Sequence, residues 1–433
     1  MNIFIHDEFT PEVNAMLQAM YSRSADTVSQ RISKVLAQGP EAFMESYYVG
    51  YGHQSIGDCG TTTLYIEDIS ILADKAIQDN PLYSGQETST RYINFDQRKI
   101  INPVITIETD AILDGWMAFY KSARKGVVEH LAKQHPLEEG QEIKVWKKAI
   151  EARSFDILRG FLPAGMTTQL SWSTNLRQAH DNIMRLKSHP LLEVQQVAQK
   201  MHELLKEKYP SSFGHQIKAE VAEYWMNDSF RTHYNTSRYP QDFQARSSIV
   251  WEQMDAEDLR ALRHRPKGAE LPRRFMQYGH VRAEFPLDYG SFRDLQRHRN
   301  GYCPIPLLTQ QLGFNDWYIE QLPEDMQDYC RIFLKGQFNL INKLRNQKVL
   351  DRYQEQYFLP LGMMVPVEIM YDLPQILYVI ELRCSPFVHP TMRRVAREMY
   401  DFMRDEWSKM AIHADLSPNP FDVRRGEQDI VEI

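Results

Sequence analysis

The order of hydrophobic and polar positions in this chain describes a strand, a helix and a polar loop, and that order occurs twice. In the N-terminal half, residues 61–66 are rich in β-forming side chains and predict a strand, and residues 69–77 predict the helix after it. In the C-terminal half, residues 281–287 alternate like a strand and residues 292–296 begin a helix. The pattern therefore predicts two copies of one α+β unit.

Two Leu-Pro-x-Gly segments, residues 162–165 and 359–362, support the same duplication, because each is followed by an apolar stretch that ends near an arginine. Other periodic stretches predict a strand over residues 1–5 and helices over 13–20, 28–36, 146–158, 175–186 and 192–205. We expect an N-terminal domain over 1–225, a polar and aromatic linker over 226–265, and a C-terminal domain over 266–433. Each domain is expected to be a mixed sheet packed with helices.

Composition narrows the classes of function. The chain has 433 residues, 43% of them hydrophobic, and its net charge of −7 gives no basic excess, so we expect neither nucleic-acid nor membrane binding. No apolar run reaches the length of a bilayer span, and residues 1–9 lack the profile of a signal peptide. The four cysteines are scattered without zinc-ligand spacing, so no metal site is predicted. A cytoplasmic protein is the expected class.

Candidate chemistry lies in two short polar segments. The polar loop, residues 84–92, reads Ser-Gly-Gln-Glu-Thr-Ser-Thr-Arg-Tyr, and the arginine run, residues 297–299, reads Arg-His-Arg. Guanidinium groups match phosphate geometry bidentately, and serine hydroxyls add donors to the same oxygens. Neither segment makes a complete anion site alone, but together they predict a site for phosphorylated ligands.

These two segments resemble the signature of flavin-dependent thymidylate synthases. In that family an Arg-His-Arg run, a Ser and an Asn-Glu-x-Ser-x-Arg-Tyr stretch lie in one segment, whereas here the signature is split. The N-terminal copy has Asp79-Asn80-Pro81 where the family has Arg-His-Arg, and the C-terminal copy keeps the arginine run but loses the loop. The resemblance implies two tandem domains of the thymidylate-synthase-complementing type.

The resemblance also implies roles for individual residues. The family's nucleotide contacts match Ser84, Gln86, Glu87, Ser89, Arg91 and Arg159. Its flavin contacts match His53, Ser55, Asn175, Arg177, Arg297, His298 and Arg299. Arg383 matches the arginine that reaches the pyrimidine ring, so Arg383 and Arg297 are the expected catalytic residues.

The two copies lose different members of this set. The C-terminal counterparts of Arg159, Asn175 and Arg177 are Gln356, Asp372 and Pro374, and the N-terminal counterpart of Arg383 falls near Leu186. Family sites are built from several identical chains, so a fused pair of copies is expected to share one composite site.

The implied activity is methylation of C5 of dUMP, with FAD as cofactor, methylene-tetrahydrofolate as one-carbon donor and NADPH as reductant. If each half stands for one family subunit, two chains recreate the family's tetrameric arrangement, so we expect a homodimer.

Three departures from the family pattern leave alternatives open. Gln86 replaces an Asn, Asp181 replaces a flavin-side Asn, and Asp294 stands where the family has a Gln before its arginine run. The alternatives are a flavin-dependent C5 modification of another pyrimidine nucleotide, and a catalytically retired paralogue that binds nucleotide or flavin. Plainer roles also remain, such as a solvated helix end for residues 297–299, a helix N-cap for Asn175 and a surface turn for Ser89 and Arg91.

Overall fold

The computed structural model describes residues 9–22, 32–33, 35–37, 39–45, 48, 54–214, 218–235, 238–418 and 421–427. The predicted strand over 1–5 and most of the predicted helix over 28–36 fall outside those residues. The chain folds into two compact units, of which the first comprises Met1–Ile69, Ala73–Thr88 and Thr168–His233, and the second comprises Ser70–Leu72, Ser89–Thr167 and Tyr234–Ile433. The two compact units are each made of several separate segments, whereas the predicted domains are continuous stretches of sequence. The domain boundaries over 1–225, 226–265 and 266–433 therefore stay a prediction.

Helices dominate the chain, and the strands are few and antiparallel where their direction is defined. The N-terminal half contains α1 (Pro11–Tyr21), α2 (Glu41–Phe43), α3 (Gln54–Gly57), β1 (Thr61–Ser70), α4 (Ile71–Gln78), α5 (Ile107–Gln134), α6 (Ile143–Leu158), β2 (Thr167–Asn175), α7 (Leu176–Leu186) and α8 (Leu192–Lys208). The remainder contains α9 (Ala219–Asn227), α10 (Ser229–His233), β3 (Gln244–Ser247), α11 (Ala256–His264), β4 (His280–Asp288), α12 (Tyr289–Leu295), α13 (Asp316–Glu320), α14 (Glu324–Asn346), β5 (Met364–Asp372), α15 (Leu373–Arg383) and α16 (Pro390–Glu406). Short 3-10 helices cover Arg159–Phe161, Trp251–Gln253, Arg273–Tyr278, Gln354–Phe358 and Val423–Glu427.

The order of elements repeats along the chain. The N-terminal order β1, α4, long helix α5, 3-10 turn, β2, α7, α8 recurs as β4, α12, long helix α14, 3-10 turn, β5, α15, α16. The copies differ in that the first has α6 after its long helix and the second has α13 before its own. Strands and helices thus mix without a regular parallel sheet, which confirms the α+β fold class. The strands predicted over 61–66 and 281–287 are both present and longer, whereas the two long helices α5 and α14 were not predicted from the pattern.

Backbone hydrogen bonds fix which positions of the two copies are equivalent. The Ile71 N–H donates to Met166 O at 3.1 Å, and the Tyr289 N–H donates to Met363 O at 2.9 Å. Ile71 and Tyr289 are therefore equivalent positions. Eight residues after each of them, residues 79–81 of the N-terminal copy correspond to the arginine run, residues 297–299, of the C-terminal copy.

The two Leu-Pro-x-Gly segments also correspond, and they pair with each other. Pro163 and Pro360 form an antiparallel bridge, and the N–H groups of Ala164 and Leu361 donate across it to Leu359 O and Leu162 O, each at 2.8 Å. The bonds are reciprocal, so each copy presents the same edge to the other at this point. The duplication predicted from the sequence pattern is therefore visible in the backbone of the second unit.

The second unit is built on a three-stranded antiparallel sheet in the order β3–β4–β5. Phe285 of β4 lies opposite Val367 of β5, and both side chains are buried. The edge strand β3 comes from the segment predicted as a linker, so residues 244–247 also form part of this sheet. In the first unit the sheet has two strands, β1 and β2. Within the part of the chain that the structure describes, no helix is long and apolar enough to cross a bilayer.

Helix ends in the second unit place the polar side chains that matter for function. Asp288 caps α12 by accepting a hydrogen bond from the Ser291 N–H at 2.8 Å, and this short helix carries Asp294. Asp372 caps α15 in the same way, and α15 ends at Arg383. Because β4 and β5 are antiparallel, α12 and α15 start at opposite ends of the sheet. A hydrogen bond from Arg383 Nη2 to Asp294 O at 2.5 Å joins the C-terminal residues of the two helices.

Candidate functional site

Four arginines surround one aspartate in the second unit. This arginine cluster consists of Arg91, Arg159, Arg297 and Arg383, with Asp294 as the shared carboxylate. The sequence-predicted residues Arg91 and Arg159 come from the N-terminal half of the chain, and Arg297 and Arg383 come from the C-terminal half. The structure thus brings the two ends of the split signature together within one compact unit.

The guanidinium of Arg159 is buried and has spare hydrogen-bond donors. Its side chain is 2% exposed, and Nη2 donates to Ser291 Oγ at 2.8 Å. Nη1 lies 3.8 Å from Asp294 Oδ2, and Nη2 lies 3.9 Å from Asp288 Oδ2, both beyond hydrogen-bond distance. Nε has no hydrogen-bond partner among the described residues. A guanidinium has five N–H donors, so this buried arginine is equipped to bind a further anionic group.

The carboxylate of Asp294 is ionised because of the arginines around it. Burial alone would raise the pKa of Asp294, but the charges of Arg383, Arg159, Arg91 and Arg297 lower the pKa below its usual value. Its Oδ2 atom makes no hydrogen bond to the described residues. With Asp156 bound to Arg91 and Asp288 3.9 Å from Arg159, the four guanidiniums of the arginine cluster face three carboxylates, and one positive charge remains in excess.

His298 holds Arg383 in place as a neutral imidazole. Arg383 Nε donates to His298 Nε2 at 2.8 Å, and Arg383 Nη2 donates to the backbone oxygen of Asp294 at 2.5 Å. Burial and the neighbouring charge of Arg383 lower the pKa of His298 to about 3. Since Nε2 accepts a hydrogen bond, the ring proton lies on Nδ1. The opposite side of this ring faces Tyr378, with the two rings at 5.8 Å in an edge-to-face arrangement.

Arg91 is bound to a second buried carboxylate, that of Asp156. Arg91 Nε donates to Asp156 Oδ1 at 2.6 Å and Nη2 donates to Asp156 Oδ2 at 3.2 Å, a bidentate pair. Nη2 also donates to Phe387 O at 3.1 Å. The predicted nucleotide contact Ser89 lies beside it, and its Oγ accepts a hydrogen bond from the Arg91 N–H at 3.2 Å. Asp156 and Phe387 therefore fix the orientation of the Arg91 guanidinium. An arginine in a solvated surface turn would not need such contacts.

A cavity of about 630 Å³ lies next to the arginine run, residues 297–299. Its walls combine apolar, aromatic, amide and cationic side chains with two glutamates, and they include Lys267, Glu270, Arg273, Asn300, Gln375, Tyr378, Glu381 and Leu382. Asn300 directly follows Arg299, and Tyr378 is the residue that packs against His298. The volume and the mixed lining suit a ligand with a flat ring and an anionic group.

The predicted nucleotide contacts Ser84, Gln86 and Glu87 lie in the first unit. There Glu87 forms a buried ion pair with Lys75, whose Nζ lies 2.7 Å from Glu87 Oε2, while Gln78 Nε2 donates to the same oxygen at 2.8 Å. Ser84 pairs with Ser173 across an antiparallel bridge, and the Gln86 N–H donates to Ser171 Oγ at 3.2 Å. In this unit the polar loop is anchored to β2 by its backbone and to α4 by its glutamate.

The predicted flavin contacts of the N-terminal half also lie in the first unit, except that His53 falls outside the described residues. Asn175 caps α7, with Oδ1 accepting from the Gln178 N–H at 2.8 Å. Arg177 forms a half-exposed pair with Asp58, with Nη2 2.6 Å from Oδ2. Ser55 is exposed. Asn175 thus has the N-cap geometry, and the flavin role of these residues stays a prediction.

Sequence reasoning did not single out Asp156 or Arg425, which both belong to the surroundings of Arg91. Asp156 lies one helical turn before Arg159, so a charged residue in an otherwise apolar stretch of α6 was an available signal. Arg425 lies in a C-terminal segment with no pattern around it, and it is found only because the chain returns to α6.

Comparisons with known proteins support the family resemblance of the N-terminal half. The family described as "Thymidylate synthase complementing protein" matches residues 8–211. A UPF0159 protein of Thermoplasma acidophilum is 24% identical, with 91% of this chain and 93% of the relative covered. UPF0159 proteins of Chlamydia pneumoniae and Chlamydia muridarum are 23% and 24% identical, with 86% and 81% of this chain covered and 81% and 76% of the relatives. Residues 8–211 therefore match the thymidylate synthase complementing protein family, and the length of the chain fits a tandem duplication of the family unit.

Proposed function

We propose that the protein is a flavin-dependent thymidylate synthase-like enzyme of the cytoplasm. It methylates C5 of dUMP at one composite site, with FAD as cofactor, methylene-tetrahydrofolate as carbon donor and NADPH as reductant. The observation that carries the proposal is that Arg159 of one copy and Arg383 of the other both contact Asp294. Arg159 Nη1 lies 3.8 Å from Asp294 Oδ2, Arg383 Nη2 donates to Asp294 O at 2.5 Å, and the charges of Arg91 and Arg297 act on the same carboxylate. Each copy alone lacks part of this set.

Binding of the nucleotide phosphate follows from the spare donors of the cluster. A nucleotide monophosphate carries nearly two negative charges, and it needs converging guanidiniums where water is partly excluded. The buried Arg159, with Nε lacking a partner among the described residues, is the first of these. Arg91 is the second, because its Nε and Nη2 atoms are used by Asp156 and Phe387 while Nη1 makes no hydrogen bond to the described residues.

The same unit offers groups that would hold the flavin. Arg297 and Arg299 would hold its phosphates, and the cavity lined by Asn300 and Tyr378 would take a flat ring. The bound flavin would supply hydride chemistry to the pyrimidine, and the chain's own residues would bind and orient both rings. Arg383, fixed by His298, would position the pyrimidine.

The test is to purify the protein, record the flavin absorbance spectrum and measure tritium release from C5-labelled dUMP. We expect a bound flavin and activity that depends on NADPH and methylene-tetrahydrofolate. Arg159→Ala should abolish release, whereas Arg331→Ala, which removes an exposed arginine paired with Asp316 at 3.5 Å, should leave it unchanged. A protein that cannot be loaded with flavin would exclude this function.

The ionised Asp294 favours a second candidate, a related protein whose ligand or product differs. A carboxylate beside a phosphate site repels the phosphate unless arginines compensate it, so the site could serve another pyrimidine nucleotide or only bind one. Mass spectrometry of the product separates a different C5 modification from thymidylate. Rescue of a thymidine-requiring strain by the wild type but not by Arg91→Ala would exclude a catalytically retired paralogue.

We also propose that the protein is a homodimer in which four family units come together. Small-angle scattering or light scattering of the purified protein measures this directly. A mass near that of one chain, 50.9 kDa, would contradict the dimer.

A further inference from the structure

The carboxylate of Asp156 is shared between two arginines, Arg91 and Arg425. Arg425 Nη2 donates to Asp156 Oδ1 at 3.0 Å, Arg425 Nη1 donates to Oδ2, and Arg91 completes a second bidentate pair on the same two oxygens. Asp156 is 1% exposed. Arg153 lines the same pocket and its charge also acts on Asp156, so positive charge exceeds negative charge around this carboxylate.

Arg425 belongs to a C-terminal segment, residues 421–427, that is seated closely on the protein. A Cβ placed on Gly426 would lie 1.8 Å from Val145 O, so only glycine allows this approach to α6. Arg425 Nη2 also donates to Arg91 O at 3.2 Å, and its guanidinium carbon lies 5.1 Å from the centre of the Tyr92 ring. Arg425 therefore contacts the backbone of Arg91, the carboxylate that Arg91 binds and the ring beside it.

The charge balance explains what this contact does for Arg91. If Asp156 faced Arg91 alone, the buried pair would be neutral and Arg91 would offer little attraction to a further anion. With Arg425 present, the trio carries a net positive charge, and Arg91 stays oriented while its Nη1 atom remains available. Burial would raise the pKa of Asp156, but Arg425 and Arg91 hold the pKa well below its usual value, so the carboxylate is charged at neutral pH.

We propose that the C-terminal segment, residues 421–427, is part of the phosphate-binding site, and that Arg425 is a positioning residue that compensates Asp156 so that Arg91 can bind the ligand phosphate. This inference rests on the proposed function in one respect, namely that Arg91 contacts a phosphate. In this proposal the C-terminal segment supports binding of the phosphate and does not block the site.

The test uses the full-length protein and isothermal titration with three probes, dUMP, deoxyuridine and pyrophosphate. We expect Arg425→Gln to weaken dUMP binding roughly tenfold, the effect of losing one unit charge about 8 Å from a phosphate once salt screening is included. Binding of deoxyuridine, which lacks the phosphate, should change by less than about twofold, since this charge acts through the phosphate. Arg425→Lys keeps the charge and should recover most of the loss.

The double variant Arg425→Gln, Asp156→Asn removes both charges of the outer pair, and it should bind dUMP within about threefold of the wild type because Arg91 keeps its charge. Unchanged or tighter dUMP binding by Arg425→Gln would overturn the inference and leave the proposed function intact. Pyrophosphate binding that depends on Arg425, together with no dUMP binding, would support the inference and exclude the proposed function. A wild type that binds none of the probes would overturn both.

Discussion

The carboxylate of Asp294 offers the sharpest test of how the arginine cluster works. Because four arginines lower the pKa of Asp294, the group is ionised throughout a neutral assay, and Asp294→Asn removes a full negative charge while keeping the shape of the side chain. A phosphate bound to the same guanidiniums would be repelled by this carboxylate. We therefore expect Asp294→Asn to bind dUMP more tightly than the wild type and to be less stable without ligand.

The magnitude follows from the geometry. Arg159 Nη1 lies 3.8 Å from Asp294 Oδ2, so a phosphate on the far side of that guanidinium lies farther from the carboxylate than the arginine does. At about 7 Å and an effective dielectric constant of about 20, two unit charges repel by about 2 kcal/mol, and salt reduces this to about 1–2 kcal/mol, or roughly tenfold in affinity. The Asp294 side chain is 20% exposed, so solvent also moderates its attraction to the arginines. We expect the ligand-free variant to lose about 1–2 kcal/mol of stability.

The assay is a titration of dUMP into both proteins, with urea unfolding of each in the absence and presence of ligand. Asp316→Asn is the matched control, because it changes the net charge equally at a side chain that is 72% exposed and pairs only loosely with Arg331. The control should reproduce the wild-type affinity and stability. In high salt the affinity gained by Asp294→Asn should shrink, as expected for an electrostatic effect.

Weaker dUMP binding by Asp294→Asn would refute the reasoning. Such a result would mean that the carboxylate accepts hydrogen bonds from the ligand or holds the arginines in their binding positions. Rescue by Asp294→Glu would then support the first reading, because glutamate restores the acceptor and the charge together. The proposed phosphate role of the arginine cluster would need revision in either case.

Gly426→Ala should release the C-terminal segment, because its Cβ would meet Val145 O at 1.8 Å; proteolysis in residues 421–427 should become about tenfold faster. Gly336→Ala is the control, since a Cβ there meets nothing within 4 Å, and in a helix interior it should stabilise the protein by up to about 1 kcal/mol. Equal cleavage rates in the wild type and the first variant would contradict this account. Lys75→Met should lower the urea-unfolding free energy by about 3–5 kcal/mol because it removes the buried cation that lies 2.7 Å from Glu87 and 3.6 Å from Asp74, and adding Glu87→Gln should recover part of that loss. A double variant as unstable as the single one would show that the ion pair is not the cause.

Much of the fold was predictable from local patterns. Alternation in residues 281–287 and β-forming side chains in residues 61–66 gave strands that are present, because a strand that faces a core on one side must alternate its side chains. The Leu-Pro-x-Gly repeats pointed to a duplication that the reciprocal hydrogen bonds around Pro163 and Pro360 make visible. The long helices α5 and α14 were not predicted, although each buries one face at helical spacing, as Leu334, Ile341 and Leu344 of α14 do.

The chemistry of the site divides in the same way. The sequence by itself determined the types of residue available for an anion site, through the polar loop and the arginine run, and through the complementary losses of the two copies. Which carboxylates neutralise those arginines was decided only by the tertiary structure, since Asp156 and Arg425 are 269 positions apart in the chain and bond to each other. The pairing of buried charges depends on the distance between them and on the exclusion of water. Both are set by tertiary packing, so the local sequence does not predict them.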